Sequence, residues 1–182
     1  MIELDYIYTS NLPNKNANSV HVMHFSESLA KLFKFRLFAD VDQASNLSAH
    51  YDIRDQFTIN NFSVKSKYLY TIFLLMSLKL SKMVYTRDLF CALLLAFGGK
   101  KVIWESHVIS ENILYRATYR LVSYFNLFYR VIVITDSLRE KYLSFFDSKL
   151  LNVLPDGCRV NMFCRYHDNL ERLTVGYVGS FH

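Results

Sequence analysis

Glu105 and His107, two residues apart at the end of the apolar run Val102-Ile103-Trp104, are the sharpest chemical feature of this sequence. An imidazole changes charge near neutral pH, so a histidine at a strand end can accept or donate a proton. Two positions earlier on a strand is the same face, which lets Glu105 orient His107. The competing reading makes His107 a loop histidine bonded to nearby backbone and Glu105 a buried acid paired with a lysine or arginine. Arg87 follows another short apolar run and can hold a phosphate or carboxylate, although a surface ion pair is the commoner fate of such a residue. His21, His24 and Glu27 have metal-ligand chemistry at i, i+3, i+6 spacing; a solvated helix face accounts for the same spacing, and no metal is expected. Asp136-Ser137 reads as a helix cap and Asp156-Gly157 as a turn. There is no P-loop, GxGxxG, GxSxG or HExxH, so the signatures of triphosphate hydrolysis, dinucleotide binding, serine hydrolysis and zincin chemistry are missing.

These residues fall after strands in a repeating rhythm. Ile2 to Thr9 reads as a strand and Ser10 to Asn18 as a polar loop; from about Ser19 the apolar positions Val22, Phe25, Leu29, Leu32 and Phe33 recur at helical spacing. Phe35 to Ala39 is a second strand, and Asp40 to Phe62 is polar and irregular with a short strand at Phe57 to Ile59. Tyr68 to Leu80 predicts a helix, Met83 to Thr86 a strand, and Leu89 to Phe97 a helix stopped by Gly98-Gly99. Lys101 to Glu105 reads as a strand, Glu111 to Tyr129 as a long helix, Val131 to Thr135 as a strand, Ser137 to Phe146 as a helix, and Asn152 to Leu154 as a short strand. The alternation predicts a doubly wound parallel α/β sheet, with the apolar run Val131 to Ile134 as a central strand buried on both faces. In such a sheet ligands sit beyond the carboxyl ends of the strands. His21, Arg87, His107, Asp136 and Asp156 should therefore gather at one edge.

With 182 residues, 52% of them apolar, the chain can bury a substantial core, and Gly 5 and Pro 2 exclude collagen-like and low-complexity designs. The formal charge of +5 suits an anionic surface or a phosphorylated ligand and falls short of a nucleic-acid-binding arm. Cys91, Cys158 and Cys164 form no CxxC pair, which argues against a disulfide framework or a structural zinc. With that cysteine usage a reducing cytoplasm is the simplest compartment, and Glu3 and Asp5 stand where an export signal needs basic residues. The two most apolar stretches are 11 uncharged residues each, whereas a membrane span needs about 20. Tyr115, Arg116, Tyr119, Arg120, Tyr124 and Tyr129 border the apolar face of the Glu111 to Tyr129 helix. Packing explains most of that mixture, and a lipid headgroup layer is the alternative.

Taken in order, several segments resemble the N-terminal half of family-4 retaining glycosyltransferases of the GT-B architecture. They are Asn16 to Ala30, Val84-Tyr85-Thr86-Arg87, Trp104-Glu105-Ser106-His107, Ile132 to Leu138, Val153-Leu154-Pro155-Asp156-Gly157, and Val175-Gly176-Tyr177-Val178-Gly179-Ser180. The resemblance implies two Rossmann-like domains facing across a cleft: an acceptor-side domain over residues 1–170, and the start of a donor-binding domain at 171–182. It implies metal-independent, hexosyl-type transfer from a nucleotide sugar to a glycan or lipid-linked acceptor, with no cofactor and no nucleic-acid partner; the basic excess and the Tyr/Arg-bordered helix separately suit peripheral contact with the inner face of the membrane. His107 then maps to the cleft beside the transferred sugar, supported by Glu105 and Arg87, and Asn16, Asn18 and Ser19 map to the loop beside the donor phosphates. Asn18-Ser19 replaces the paired glycines of many members, and Cys158-Arg159 stands where an acidic residue often follows the Pro-Asp-Gly turn. The 182 residues alone are expected to be inactive. A non-catalytic α/β binding or membrane-associated module is the alternative.

Overall fold

The computed structural model describes residues 1–14, 16–42, 46–54, 57–61, 67–76 and 80–157. Seven parallel strands form one sheet in the order β3-β2-β1-β4-β5-β6-β7. They are β1 (Glu3–Leu12), β2 (Lys34–Val41), β3 (Thr58–Asn61), β4 (Met83–Thr86), β5 (Lys101–Ser106), β6 (Arg130–Val133) and β7 (Leu151–Val153). Between them run α1 (Ala17–Ala30), α2 (Leu47–Tyr51), α3 (Lys67–Met76), α4 (Leu89–Phe97), α5 (Ile113–Tyr124) and α6 (Asp136–Tyr142). This is the Rossmann-like, doubly wound α/β arrangement that the alternating pattern predicts. Strand order reverses between β1 and β4, so the chain's connections leave a crevice at their carboxyl ends.

The two-residue period of the strands sends alternate side chains into two cores. Tyr6, Tyr85 and Leu37 face one core with Val22 and Met23 of α1. Ile7, Val84, Val102 and Trp104 face the other, with Ala92 and Leu95 of α4, Tyr119 and Val122 of α5, and Tyr142 of α6. Asp5 is fully buried at the start of β1 and accepts from Arg36 Nε and Nη2, each at 2.8 Å, and from the Ser81 N–H at 2.6 Å. That arrangement satisfies a buried carboxylate while tying β1 to β2 and to the approach to β4.

Several boundaries differ from the sequence pattern. β1 continues through Leu12, where the polar loop was expected, because Asn11 and Leu12 pair with Asp40 and Val41 and Leu12 is buried. The polar stretch after β2 holds α2, whose start is capped by the Asn46 side chain accepting from the Ala49 N–H. α5 stops at Tyr124 instead of running to Tyr129. Asn126 adopts φ +49, the Asn126 N–H bonds the Ser123 carbonyl, and the Leu127 N–H bonds the Val122 carbonyl, which closes the helix in a Schellman motif. α6 is capped by Thr135, one residue before the expected cap, with its hydroxyl accepting from the Leu138 N–H; Asp136 falls in the first turn. α6 also ends at Tyr142, short of Phe146. β6 is not the central strand: it lies second from the β7 edge, and β4 holds the centre. Val131 and Val133 of β6 are buried, while Ile132 is only half-buried. α3 is described over Lys67–Met76. The strand expected over residues 173–178, the domain boundary near 171, and Cys158, Arg159 and Cys164 lie outside the described residues.

Candidate functional site

Because all seven strands are parallel, the residues that follow them emerge along one edge. β5 ends in the buried residues Glu105 and Ser106, which face opposite sides of the sheet, and His107 follows one residue past its end. Glu105 is 4% exposed, and its two oxygens are separately engaged: Oε1 by His107 Nε2, and Oε2 by the Tyr85 hydroxyl, which donates to it. The register explains the second bond. Tyr85 pairs with Ile103, so Glu105, two residues on, is its diagonal neighbour on the same face. Arg87, just past β4, brings its Nε to 3.7 Å from Glu105 Oε1.

Burial pushes the Glu105 carboxyl up, but the hydrogen bonds from His107 and Tyr85 and the Arg87 guanidinium outweigh it and hold the carboxyl below the usual glutamate range. The Tyr85 phenol is pushed well up by burial and by the adjacent Glu105, so it remains a donor. On the other side of the ring, His107 Nδ1 lies 3.9 Å from Asp156 Oδ2.

α1 contributes His21 from its first two turns. The ring stacks on Phe25 with centroids 5.6 Å apart and meets His107 edge to face at 5.9 Å. His21 Nε2 lies 3.9 Å from Glu105 Oε1, and His21 Nδ1 lies 3.5 Å from Asp156 Oδ1. Burial lowers the His21 pKa, opposed by Glu105 and Asp156 and reinforced by Arg87 and His107. His21, Glu105, His107 and Asp156 are thus four possible metal-ligating groups at one point. His24 instead pairs with Glu27 at 4.0 Å, and Glu27 also accepts from the Arg54 N–H, so the helical trio His21, His24 and Glu27 is divided between two places.

Two hollows adjoin at this edge. One of about 220 Å³ is lined by His21, Phe25, Tyr85, Glu105, Leu154, Pro155, Asp156 and Gly157. The other, of about 140 Å³, lies at the β1–β4 switch point between Ile7 to Ser10, Asn18, Arg87 and Asp88. Arg87 Nη1 donates to Asn18 Oδ1 across the second hollow. Asn16 is the exposed residue before α1, and its N–H bonds the Asn14 side chain. Ser19 is fully buried and turns its hydroxyl back to the Asn14 and Asn16 carbonyls, each at 2.8 Å. Its role is to shape the loop, while Asn18 faces the hollow.

Behind His107, the Ser106 hydroxyl bonds the Val108 carbonyl at 3.0 Å and the Tyr142 hydroxyl at 2.8 Å. Tyr142 packs with Trp104 and Tyr119 in the aromatic core. The turn that presents His107 is therefore fixed from the inside.

His21, Arg87, His107 and Asp156 come together as the strand-end rule predicts, and Asp136 sits on the same edge outside the cluster. Asp156 is more than the turn residue its Pro-Asp-Gly context suggests: as its place after β7 predicts, it reaches the same edge, where it faces His21 and His107. Tyr85 and Phe25 carried no chemical signal, because only strand register and the seating of α1 bring them to Glu105.

No protein-family model and no curated protein sequence matches this chain. Among solved structures it is similar to Anabaena Alr3699/HepE in complex with UDP-glucose, with a TM-score of 0.61 and 12% identity over 89% of this chain and 46% of that one. The complex of the same Anabaena protein with UDP and glucose gives 0.59 and 12% over the same shares. At this identity the likeness is one of fold. The chain spans slightly under half the length of these structures.

Proposed function

We propose that this chain is the acceptor-side domain of a GT-B glycosyltransferase, which transfers a hexose-type sugar from a nucleotide-sugar donor to a glycan or lipid-linked acceptor with retention of configuration. The observation that carries the reading is the Tyr85–Glu105–His107 chain of hydrogen bonds, set at the carboxyl edge of a Rossmann-like sheet and open to a cleft. Support comes also from the shared fold with a protein solved with UDP-glucose. In this reading Glu105 fixes the His107 ring, and His107 Nδ1 contacts the sugar or acceptor hydroxyl. Asn16, Asn18 and Arg87 border the donor phosphates at the switch point. Transfer needs no metal, and the donor is held chiefly by a second domain beginning near residue 171.

The test is transfer of labelled sugar from a panel of nucleotide sugars. It compares the 182-residue chain, a chain completed by a donor-binding half, and the completed His107→Ala variant. The expected result is turnover only in the completed chain. Robust turnover by the 182 residues alone would overturn the two-domain reading.

The alternative, a membrane-associated binding module, draws on one observation. Ile113, Arg116, Arg120 and Tyr124 recur at three- and four-residue spacing along the exposed stripe of α5, with Ile113 85% and Tyr124 82% exposed. Apolar and basic groups on one stripe suit an anionic lipid surface, and the same stripe serves the main reading as a peripheral contact at the cytoplasmic membrane face. Among the described residues no helix is long and apolar enough to cross a membrane.

A further inference from the structure

We propose that His21, Glu105, His107 and Asp156 close around a single divalent transition-metal ion of the zinc type. One ligand atom from each of the four residues lies within 4.8 Å of all the others. A tetrahedral site with bonds of about 2.0–2.2 Å separates its ligands by roughly 3.4 Å, so side-chain rotations of about an ångström bring the group to bonding geometry. The donors come from three separate stretches of the chain: α1, the end of β5 with the turn after it, and the segment after β7. Helical or loop spacing does not explain such a convergence.

The donor set selects the ion. Two imidazoles with two carboxylates favour zinc, cobalt or nickel over magnesium or calcium, which prefer all-oxygen shells. The surroundings are those of a supported site. Glu105 is buried and accepts from the Tyr85 hydroxyl, and the His21 ring is braced against Phe25. One side is closed by protein and the other opens to the 220 Å³ hollow through which an ion enters. The cation Arg87 stands beside Glu105, yet its Nη1 is drawn off by Asn18. With neutral imidazoles, two carboxylates and one guanidinium leave a net negative charge to attract the ion.

Occupancy has a consequence that rests on the transfer reading above. An ion bound to His107 takes the nitrogen that would meet the substrate, so zinc would act as an inhibitor of a metal-independent transferase.

The test is direct binding to the 182-residue chain, which reads the site whether or not any transfer is found. Zinc is titrated in competition with a chromophoric chelator, and cobalt binding is followed by visible absorption. The expected result is one ion per chain, with tetrahedral d–d bands and no thiolate-to-cobalt charge transfer. Asp156→Asn and His21→Ala should each weaken binding at least tenfold, and His50→Ala should leave it unchanged. Thermal melting keeps the variants interpretable: they should melt as the parent does without metal and lose the zinc-dependent rise. Absence of one-to-one binding, a thiolate band assigning the ion to Cys158 or Cys164, or equal affinity in Asp156→Asn and His21→Ala would each overturn the proposal. If zinc binds as described but leaves transfer by the completed chain untouched, the inhibitory consequence is overturned and the site stands.

Discussion

At the level of single residues, His107 and the groups that fix it have separable roles. A positioned imidazole contributes a factor on the order of 10²–10⁴ where it moves a proton. His107→Ala in the completed chain is therefore expected to lower kcat by about 10² or more while leaving donor affinity within a few-fold, measured by steady-state kinetics beside equilibrium binding of the nucleotide sugar. Tyr142 acts at one remove. Its hydroxyl bonds Ser106 and reaches the Val108 carbonyl at 3.3 Å, so Tyr142→Phe leaves the ring packing intact and removes only the polar brace. The expected cost is about 1 kcal/mol in denaturant unfolding. A loss above about 3 kcal/mol would show that the ring itself had shifted.

Among the elements, helix ends decide where the strand-end residues emerge. α4 ends at Gly98, and Gly99 follows at φ +75, with its N–H on the Ala96 carbonyl and the Lys100 N–H on the Leu95 carbonyl. A Cβ on Gly99 would meet nothing within 4 Å, so Gly99→Ala is a purely conformational change. It should cost about 1–2 kcal/mol, read from the shift in urea midpoint at constant m. Gly98 is different, because a Cβ there would come within 2.5 Å of Leu75 Cδ2 and press on the α3–α4 contact. Thr135→Ala, which removes the cap of α6, should cost about 1 kcal/mol by the same measurement. Thr135→Ser should recover most of it.

For the molecule as a whole, the buried Asp5 pair ties β1 to β2 and to the approach to β4, the central strand of the sheet. Removing one partner of a buried ion pair costs about 3–5 kcal/mol because the other charge is left uncompensated. The Arg36 side chain is 35% exposed, which lets water replace part of its contribution. Arg36→Ala is thus expected to lose about 2 kcal/mol, and Asp5→Ala more than Arg36→Ala. No loss in Arg36→Ala would mean that Asp5 is stabilised by Ser81 alone. Membrane contact is also a property of the whole surface. Flotation with anionic vesicles should carry the chain at low salt and release it at high salt, as screening shortens the reach of Arg116 and Arg120. Binding that ignores salt, or equal binding to neutral vesicles, would remove the proposed contact.

Hydrophobic period and turn chemistry were enough to define the alternation of β1, α1, β2 and the later units, because a two-residue or 3.6-residue rhythm is a local property. Met83 to Thr86 and Leu89 to Phe97 coincide with β4 and α4, the strand-end rule named His21, Arg87, His107, Asp136 and Asp156 as one edge, and the two-residue period put Glu105 with His107. What the sequence could not carry was long-range pairing. Val131 to Ile134 reads as central by its apolarity, but its place second from an edge depends on where β7 pairs. Glu111 to Tyr129 keeps a helical pattern past Tyr124, and the left-handed Asn126 that ends the helix follows from how β6 must be reached. Asp156 is expected at the same edge as His21 yet reads as a turn residue, and only the pairing of β7 brings it to within 3.5 Å of that ring, some 135 residues away in the chain. Residue types and local order are written in neighbouring positions, whereas the contact of His21, Tyr85, Glu105, His107 and Asp156 depends on strand order and register, which only the assembled sheet fixes.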